Sequence, residues 1–211
     1  MNKAFQLITS HLETGIKLRS EFFTAHASTI VEMARQIASS VACGGKIIIA
    51  GNGGSAADAQ HWAGEFVNRF LLDRPPLPAI ALTTDSSILT AIGNDFGFHL
   101  IFAKQLQAIG QQGDVFLGIS TSGNSVNLIE ALHVARKQRI TTVGLTGKGG
   151  GGMAPLCDFL IDVPHQSTPL VQEVHATIGH MLCMLIDYFL FENVSAIQPL
   201  LNDPAPHENN E

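Results

Sequence analysis

The chain has 211 residues, of which 45% are hydrophobic and only 14% charged, with 12 basic against 18 acidic side chains and a formal net charge of −6. This length suits a single core, since cores grow to roughly 250–300 residues before chains split, and the apolar fraction excludes disorder for most of it. The acidic balance excludes a non-specific nucleic-acid binder, which needs clustered Lys and Arg; the short patch Arg136, Lys137 and Arg139 reads as the solvated end of a helix.

In chain order, the first forty residues predict two amphipathic helices. Phe5, Ile8, Leu12 and Ile16 recur every three to four residues, and Ile30, Met33, Ala34 and Ile37 repeat the pattern after the Phe22–Phe23 pair, with Ser28 placed to cap the second helix. From Gly44 onward strands and helices alternate. The runs Lys46–Ala50, Ala79–Leu82, Val115–Ile119, Thr142–Leu145 and Phe159–Val163 are short and apolar, the mark of buried parallel strands. Helical stretches lie near Ala56–Phe70, Leu100–Ile109 and Val126–Arg136, with a last one from about Leu170 to Phe191. This alternation predicts an α/β fold: a doubly wound, five-stranded parallel sheet flanked by helices.

The expected organisation is one domain over residues 1–193, with N-terminal helices over 1–42 and an α/β core over 43–193. A flexible tail over 194–211 is expected from Pro199, Pro204, Pro206 and a polar end. The run Gly149–Gly152 reads as a flexible loop. No apolar run approaches the ~20 residues that span a bilayer, since Asp187 interrupts Met181–Phe191, and the N-terminus lacks the layout of a signal peptide. Three scattered cysteines, Cys43, Cys157 and Cys183, form no CxxC pair and fit a reducing cytoplasm.

In an open parallel α/β sheet the ligand lies beyond the carboxyl ends of the strands. After the first strand come Gly51–Asn52–Gly53–Gly54–Ser55–Ala56, a turn entering a helix whose N–H groups suit an anion. The same residues match the G-x-G-x-x-A dinucleotide fingerprint, but no acid stands in the right context near the next strand end, where Thr83–Thr84–Asp85 follow. After the third strand, Ser120–Thr121–Ser122–Gly123–Asn124–Ser125 places four hydroxyls in six residues beside a helix start. Plain N-capping needs only one; four can surround a phosphate. Two such turns point to a phosphorylated small molecule.

His61 and Glu65 stand at i and i+4 on the helix that opens with the glycine turn, and so share a face. Gln172 and His180, eight residues apart on the last helix, lie about 80° apart around its axis. Together these pairs can make an N/O metal site or an acid–base pair. Glu65, an acid within Trp62–Ala63–Gly64–Glu65–Phe66–Val67, is either paired with Arg69 at i+4 or catalytic. His175 reads as a bystander.

These residues, with Gly93–Asn94–Asp95–Phe96–Gly97, Leu145–Thr146–Gly147–Lys148 and Gln172–Glu173–Val174–His175, resemble the phosphoheptose isomerases of the sugar-isomerase (SIS) superfamily over residues 1–190. The resemblance implies a cytoplasmic homotetramer that converts sedoheptulose 7-phosphate to D-glycero-D-manno-heptose 7-phosphate, for heptose precursors of cell-surface polysaccharides. By motif, Asn52, Gly53, Gly54, Ser55, Glu65, Asn94, Asp95, Ser120, Thr121, Ser122, Ser125 and Gln172 would contact substrate, with the serine turn holding phosphate. One zinc per subunit would sit on His61, Glu65, Gln172 and His180, while Glu65 and His180 would act as base and acid. Neither nucleic acid nor membrane is implied as a partner. The resemblance departs at His165–Val171, where some members carry an acidic residue. A different class of function, a non-catalytic SIS tetramer associating with a replication initiator, resembles the isomerases closely. It differs by loss of the catalytic carboxylate and imidazole, both present here.

Overall fold

Lys3–Ala42 form one continuous helix, α1, rather than two. Nothing interrupts it: residues 16–42 contain neither glycine nor proline, so Ser28 lies exposed in mid-helix and caps nothing. The cap is Asn2, whose Oδ1 accepts from the Ala4 N–H at 3.2 Å. At about 1.5 Å per residue the helix is ~60 Å long, more than one domain face can cover. Accordingly Phe22, Ile30, Met33, Ala34 and Ile37 are buried while Phe5, Ile8, Leu12 and Ile16 face solvent. The computed structural model describes residues 2–202.

Five strands follow: β1 (Ile47–Gly51), β2 (Ala79–Ala81), β3 (Val115–Ser120), β4 (Thr141–Gly147) and β5 (Phe159–Val163). They pair in parallel in the order β2-β1-β3-β4-β5, with Ile47 opposite Ala79 and Val115, Val115 opposite Thr141, and Val143 opposite Phe159. The three central strands are buried along their whole length, as a sheet covered on both faces requires.

Alternation along β1 divides the core in two. Ile47 and Ile49 point into one cluster with α1, α2 (Gly54–Val67) and α6 (Thr168–Asp187). Ile48 and Ala50 point into the other, with α4 (Ile101–Ile109) and α5 (Val126–Lys137). A salt bridge ties the strand starts together: Lys46 Nζ lies 2.6 Å from the buried Asp114 carboxylate. On the first face Glu173 of α6 pairs with His11 at 2.6 Å and Arg19 at 3.1 Å, tying down the outer part of α1.

Several local expectations are corrected. A further helix, α3 (Ser86–Asp95), follows β2; Asp85 caps it, its Oδ1 accepting from the Ile88 N–H at 2.9 Å. The helix α2 stops at Val67, three residues short of Phe70, and α6 ends in a single π turn over Tyr188–Glu192. The glycine run leads into an ordered 3-10 turn, Gly151–Leu156, pinned by the buried Met153. From Val194 the chain does not fray, because Ile197 is buried in the core and a short helix, α7 (Gln198–Asn202), packs on α1; the rest of the expected tail lies outside the described residues. Finally, Thr168–Glu192 is long and apolar enough to cross a membrane by length and composition. Half of its apolar stretch is buried, against α1, α2 and β4, which is the setting of a core helix.

Candidate active site

The strand order reverses direction between β1 and β3: from β1 the chain moves to β2 on one side, and β3 begins on the other. Such a switch point opens a crevice past the strand ends, and the glycine and serine turns lie side by side in it, since Gly51 pairs with Ile119. Gly53 caps α2 at φ 58° and ψ −121°, a conformation that side-chain-bearing residues rarely adopt. Ser55 is buried beneath the turn.

A residue not singled out from the sequence braces this turn. Asn127, buried in the first turn of α5, exchanges two hydrogen bonds with Asn52: Asn52 Nδ2 donates to Asn127 Oδ1 at 3.0 Å, and Asn127 Nδ2 donates back to Asn52 Oδ1 at 2.9 Å. Its signal was weak, an Asn two residues into a helix that otherwise reads as ordinary.

In the serine turn, Ser125 occupies the cap position of α5 but makes no side-chain capping bond. Its hydroxyl lies 2.8 Å from that of Ser120, which lies 3.3 Å from that of Ser122, while Ser122 Oγ accepts from the Asn124 N–H at 3.1 Å. Three hydroxyls are therefore gathered at the head of α5, with half-buried Thr121 in the same turn, where the helix dipole favours an anion. Plain capping does not account for them.

Across the first face, α2 and α6 bring the other candidates together. His61 Nε2 and His180 Nε2 are 2.9 Å apart, so one ring donates its N–H to the other. Glu65 Oε1 lies 3.6 Å from His61 Nδ1, on the far edge of the same ring. Arg69 makes no ion pair with Glu65 among the described residues, which corrects the i+4 alternative. Phe70 stacks on His180, with ring centroids 5.7 Å apart. The Gln172 amide rests on the glycine turn: a β-carbon at Gly54 would come within 2.6 Å of its Nε2. Asp58 was also unsuspected from sequence; partial burial pushes its carboxyl up, against the electrostatic pull of His61 and His180. His175 is fully buried, its Nε2 donating to the Thr146 carbonyl at 3.0 Å, and its imidazole is pushed down to about 4 by burial.

Asn94 and Asp95 stand apart. They are exposed at the end of α3 and bond each other, Asn94 Nδ2 donating to Asp95 Oδ1 at 2.8 Å, with no hydrogen bond to the other candidates among the described residues.

The doubly wound sheet with a hydroxyl-lined turn at its switch point is that of a SIS-domain protein, as the match of the SIS domain family to residues 10–147 shows. The chain is 60% identical over 205 residues to the phosphoheptose isomerase of Nitratidesulfovibrio vulgaris, covering 97% of this chain and 99% of that one. It superposes on the phosphoheptose isomerases of Neisseria gonorrhoeae (TM-score 0.83, 41% identity) and Francisella tularensis (TM-score 0.85, 38% identity), each time covering 88% of this chain and 99% of the other. The chain belongs to the phosphoheptose isomerase family and is an isomerase. The non-catalytic scaffold alternative finds no support among these relatives.

Proposed function

We propose that the protein interconverts sedoheptulose 7-phosphate and D-glycero-D-manno-heptose 7-phosphate, feeding heptose into cell-surface polysaccharide. The observation that carries this reading is the meeting of a carboxylate and two imidazoles between α2 and α6, beside a switch point lined with hydroxyls. Aldose–ketose exchange moves one proton between C1 and C2 through an enediol, and so needs a base, an acid on the oxygen side, and a fixed phosphate. Ser120, Thr121, Ser122 and Ser125 with the α5 N-terminus hold the phosphate; Asn52, Gly53, Gly54 and Ser55 shape the floor. Glu65 takes the proton from C1 of the ketose and returns it to C2. His180 donates to the C2 oxygen as the enediol forms, and takes up the C1 hydroxyl proton as the aldehyde appears, which restores it for the next turnover. Asn94 and Asp95 stand apart from these groups, and their assignment to sugar hydroxyls rests on the family resemblance alone.

The donor set His61, Glu65, Gln172 and His180 suits zinc by chemistry, two imidazoles with two oxygen donors; the two Nε2 atoms already converge, while Glu65 stands at the Nδ1 edge of His61 and would have to turn to join them. Among the described residues no three His, Cys, Asp or Glu groups cluster tightly enough to hold a metal by themselves. We assign one zinc per subunit to these four residues; when bound it supplies Lewis-acid polarisation of the carbonyl. The free cysteines Cys43, Cys157 and Cys183 support a reducing cytoplasmic setting. The exposed apolar stripe Phe5, Ile8, Leu12 and Ile16, and α3 with no buried residue, support burial in a homotetramer, which light scattering tests.

The experiment is turnover of sedoheptulose 7-phosphate by the purified chain and by Glu65→Gln, with and without added zinc. Aldose formation by the wild type and a loss of at least ~10²-fold in the variant are expected. A variant within threefold of wild type removes the base assignment, and no turnover by folded wild type removes the substrate.

A further inference from the structure

The segment between α2 and β2 carries a side chain that no step above uses. Arg74 is nearly sealed from solvent, 1% exposed, and its guanidinium makes four contacts. Nε donates to Asp187 Oδ1 at 2.8 Å; Nη1 donates to the carbonyls of Phe66 at 2.7 Å and Pro75 at 3.1 Å; Nη2 donates to the Glu65 carbonyl at 3.1 Å.

Three of the four acceptors lie at the last turn of α2 and at the point where α6 passes into its π turn. The helix α2 closes with the Asn68 N–H on the Gly64 carbonyl, so the Glu65 and Phe66 carbonyls look outward from its last turn and need donors from elsewhere. Arg74 supplies them, together with the Leu77 N–H on Phe66, and places a cation where the α2 dipole favours one. Asp187 is the last residue of α6, seven residues beyond His180. One guanidinium thus clamps the turn that holds Glu65 to the end of the helix that holds Gln172 and His180.

As a stability device the pair is poorly built. Asp187 Oδ2 is buried without a partner among the described residues, and buried ion pairs are often matched or exceeded in stability by apolar replacements. As a ruler between two helices it is well built, because the planar fork fixes direction as well as distance.

We propose that Arg74 is a positioning residue: through its bonds to the Glu65 and Phe66 carbonyls and to Asp187 it sets where the Glu65 carboxylate stands relative to His180. This inference rests on Glu65 acting as the base. A displacement of about 1 Å in a reacting group costs on the order of 10²-fold in rate, so loosening the clamp lowers kcat while the distant phosphate turn keeps KM.

Two variants test it in the full-length protein, with kcat, KM and thermal midpoint measured together. Arg74→Lys retains a cation beside Asp187 but loses the fork to the two carbonyls. The double variant Arg74→Met/Asp187→Leu replaces the pair with apolar volume and guards against an uninformative unfolded product. The expected result is a fall in kcat of about 10- to 100-fold in both, KM within threefold of wild type, and a midpoint in the double variant at or above that of wild type. Wild-type kcat in a folded double variant overturns the proposal and leaves Glu65 untouched as the base. An equal loss in kcat/KM carried by KM alone also overturns it, by moving the effect to binding. If wild type itself makes no aldose, the base assignment fails and this inference fails with it.

Discussion

Replacing Gly179 with alanine tests whether the contact between α2 and α6 sets the site. Gly179 is buried on α6 next to His180, and Trp62, 1% exposed, is next to His61 on α2. A methyl group at Gly179 would land inside the Trp62 indole, against Cε2, Nε1 and Cζ2, far closer than the 3.0 Å that real β-carbons respect. Ordinary contact begins near 3.4 Å, so the helices must part by at least about 1 Å in a core that does not deform freely. The His61–His180 separation of 2.9 Å then opens to about 4 Å, beyond hydrogen-bond reach. Overpacking costs about 1–3 kcal/mol, against which alanine returns up to about 1 kcal/mol of helix propensity. A net loss of about 1 kcal/mol lowers the thermal midpoint by about 2–4 °C for a chain of this size. The accompanying displacement lowers kcat/KM by on the order of 10²-fold. Thermal melts at fixed protein concentration and initial rates measure both. Gly64→Ala is the control: that glycine is exposed in α2 with open space around it, and alanine there should raise the midpoint slightly. A Gly179→Ala protein with a raised midpoint and wild-type rate refutes the argument, because propensity alone would then have decided the outcome.

The remaining predictions concern buried polar groups. His175 is held neutral, about 4 against its ordinary 6.5, so between those values the unfolded chain binds a proton that the folded chain refuses. Stability therefore falls as pH drops from 6.5 towards 4, by about 3 kcal/mol at the lower end, and urea midpoints of His175→Gln should show a shallower slope than wild type; equal slopes refute it. Asn127→Asp removes one of the two bonds that brace Asn52 and sets a carboxylate beside the phosphate turn. KM should rise about tenfold or more and the thermal midpoint should fall, since burying a carboxylate and leaving Asn52 Oδ1 unpaired outweigh what the α5 dipole returns. A KM within twofold of wild type removes Asn127 from the site.

Much of this molecule was legible in order along the chain. Five apolar runs, four of them followed by glycine or hydroxyl residues, mark five parallel strands, because a strand in a covered sheet must be largely apolar and the ligand must meet the backbone where it ends. The spacing of His61 and Glu65 placed them on one helical face for the same kind of reason, a fixed period. Helix extent was less legible: α1 runs through Ser28 because capping residues cap only where the backbone turns, and α3 was missed although Asp85 stood at its head.

Among partners distant in sequence, only the grouping of His61 and Glu65 with Gln172 and His180 was legible, and that through the family resemblance rather than through any spacing. Periodicity says which face a residue takes but not which face of another element it meets. That His61 touches His180, that Asn127 answers Asn52, and that Arg74 joins Glu65 to Asp187 follow from how α2, α5 and α6 settle on a shared sheet. Gly179 shows the difference most clearly. In the sequence it is a weak helix former; in the packed structure it is the one place where a tryptophan lets two helices approach closely enough for their histidines to meet. The chain by itself determined the elements, the sheet and the list of reactive groups, since each depends on local periods and turns. Only the tertiary structure decided how closely those groups meet and which atoms touch, because close packing, not sequence spacing, sets distances across helices.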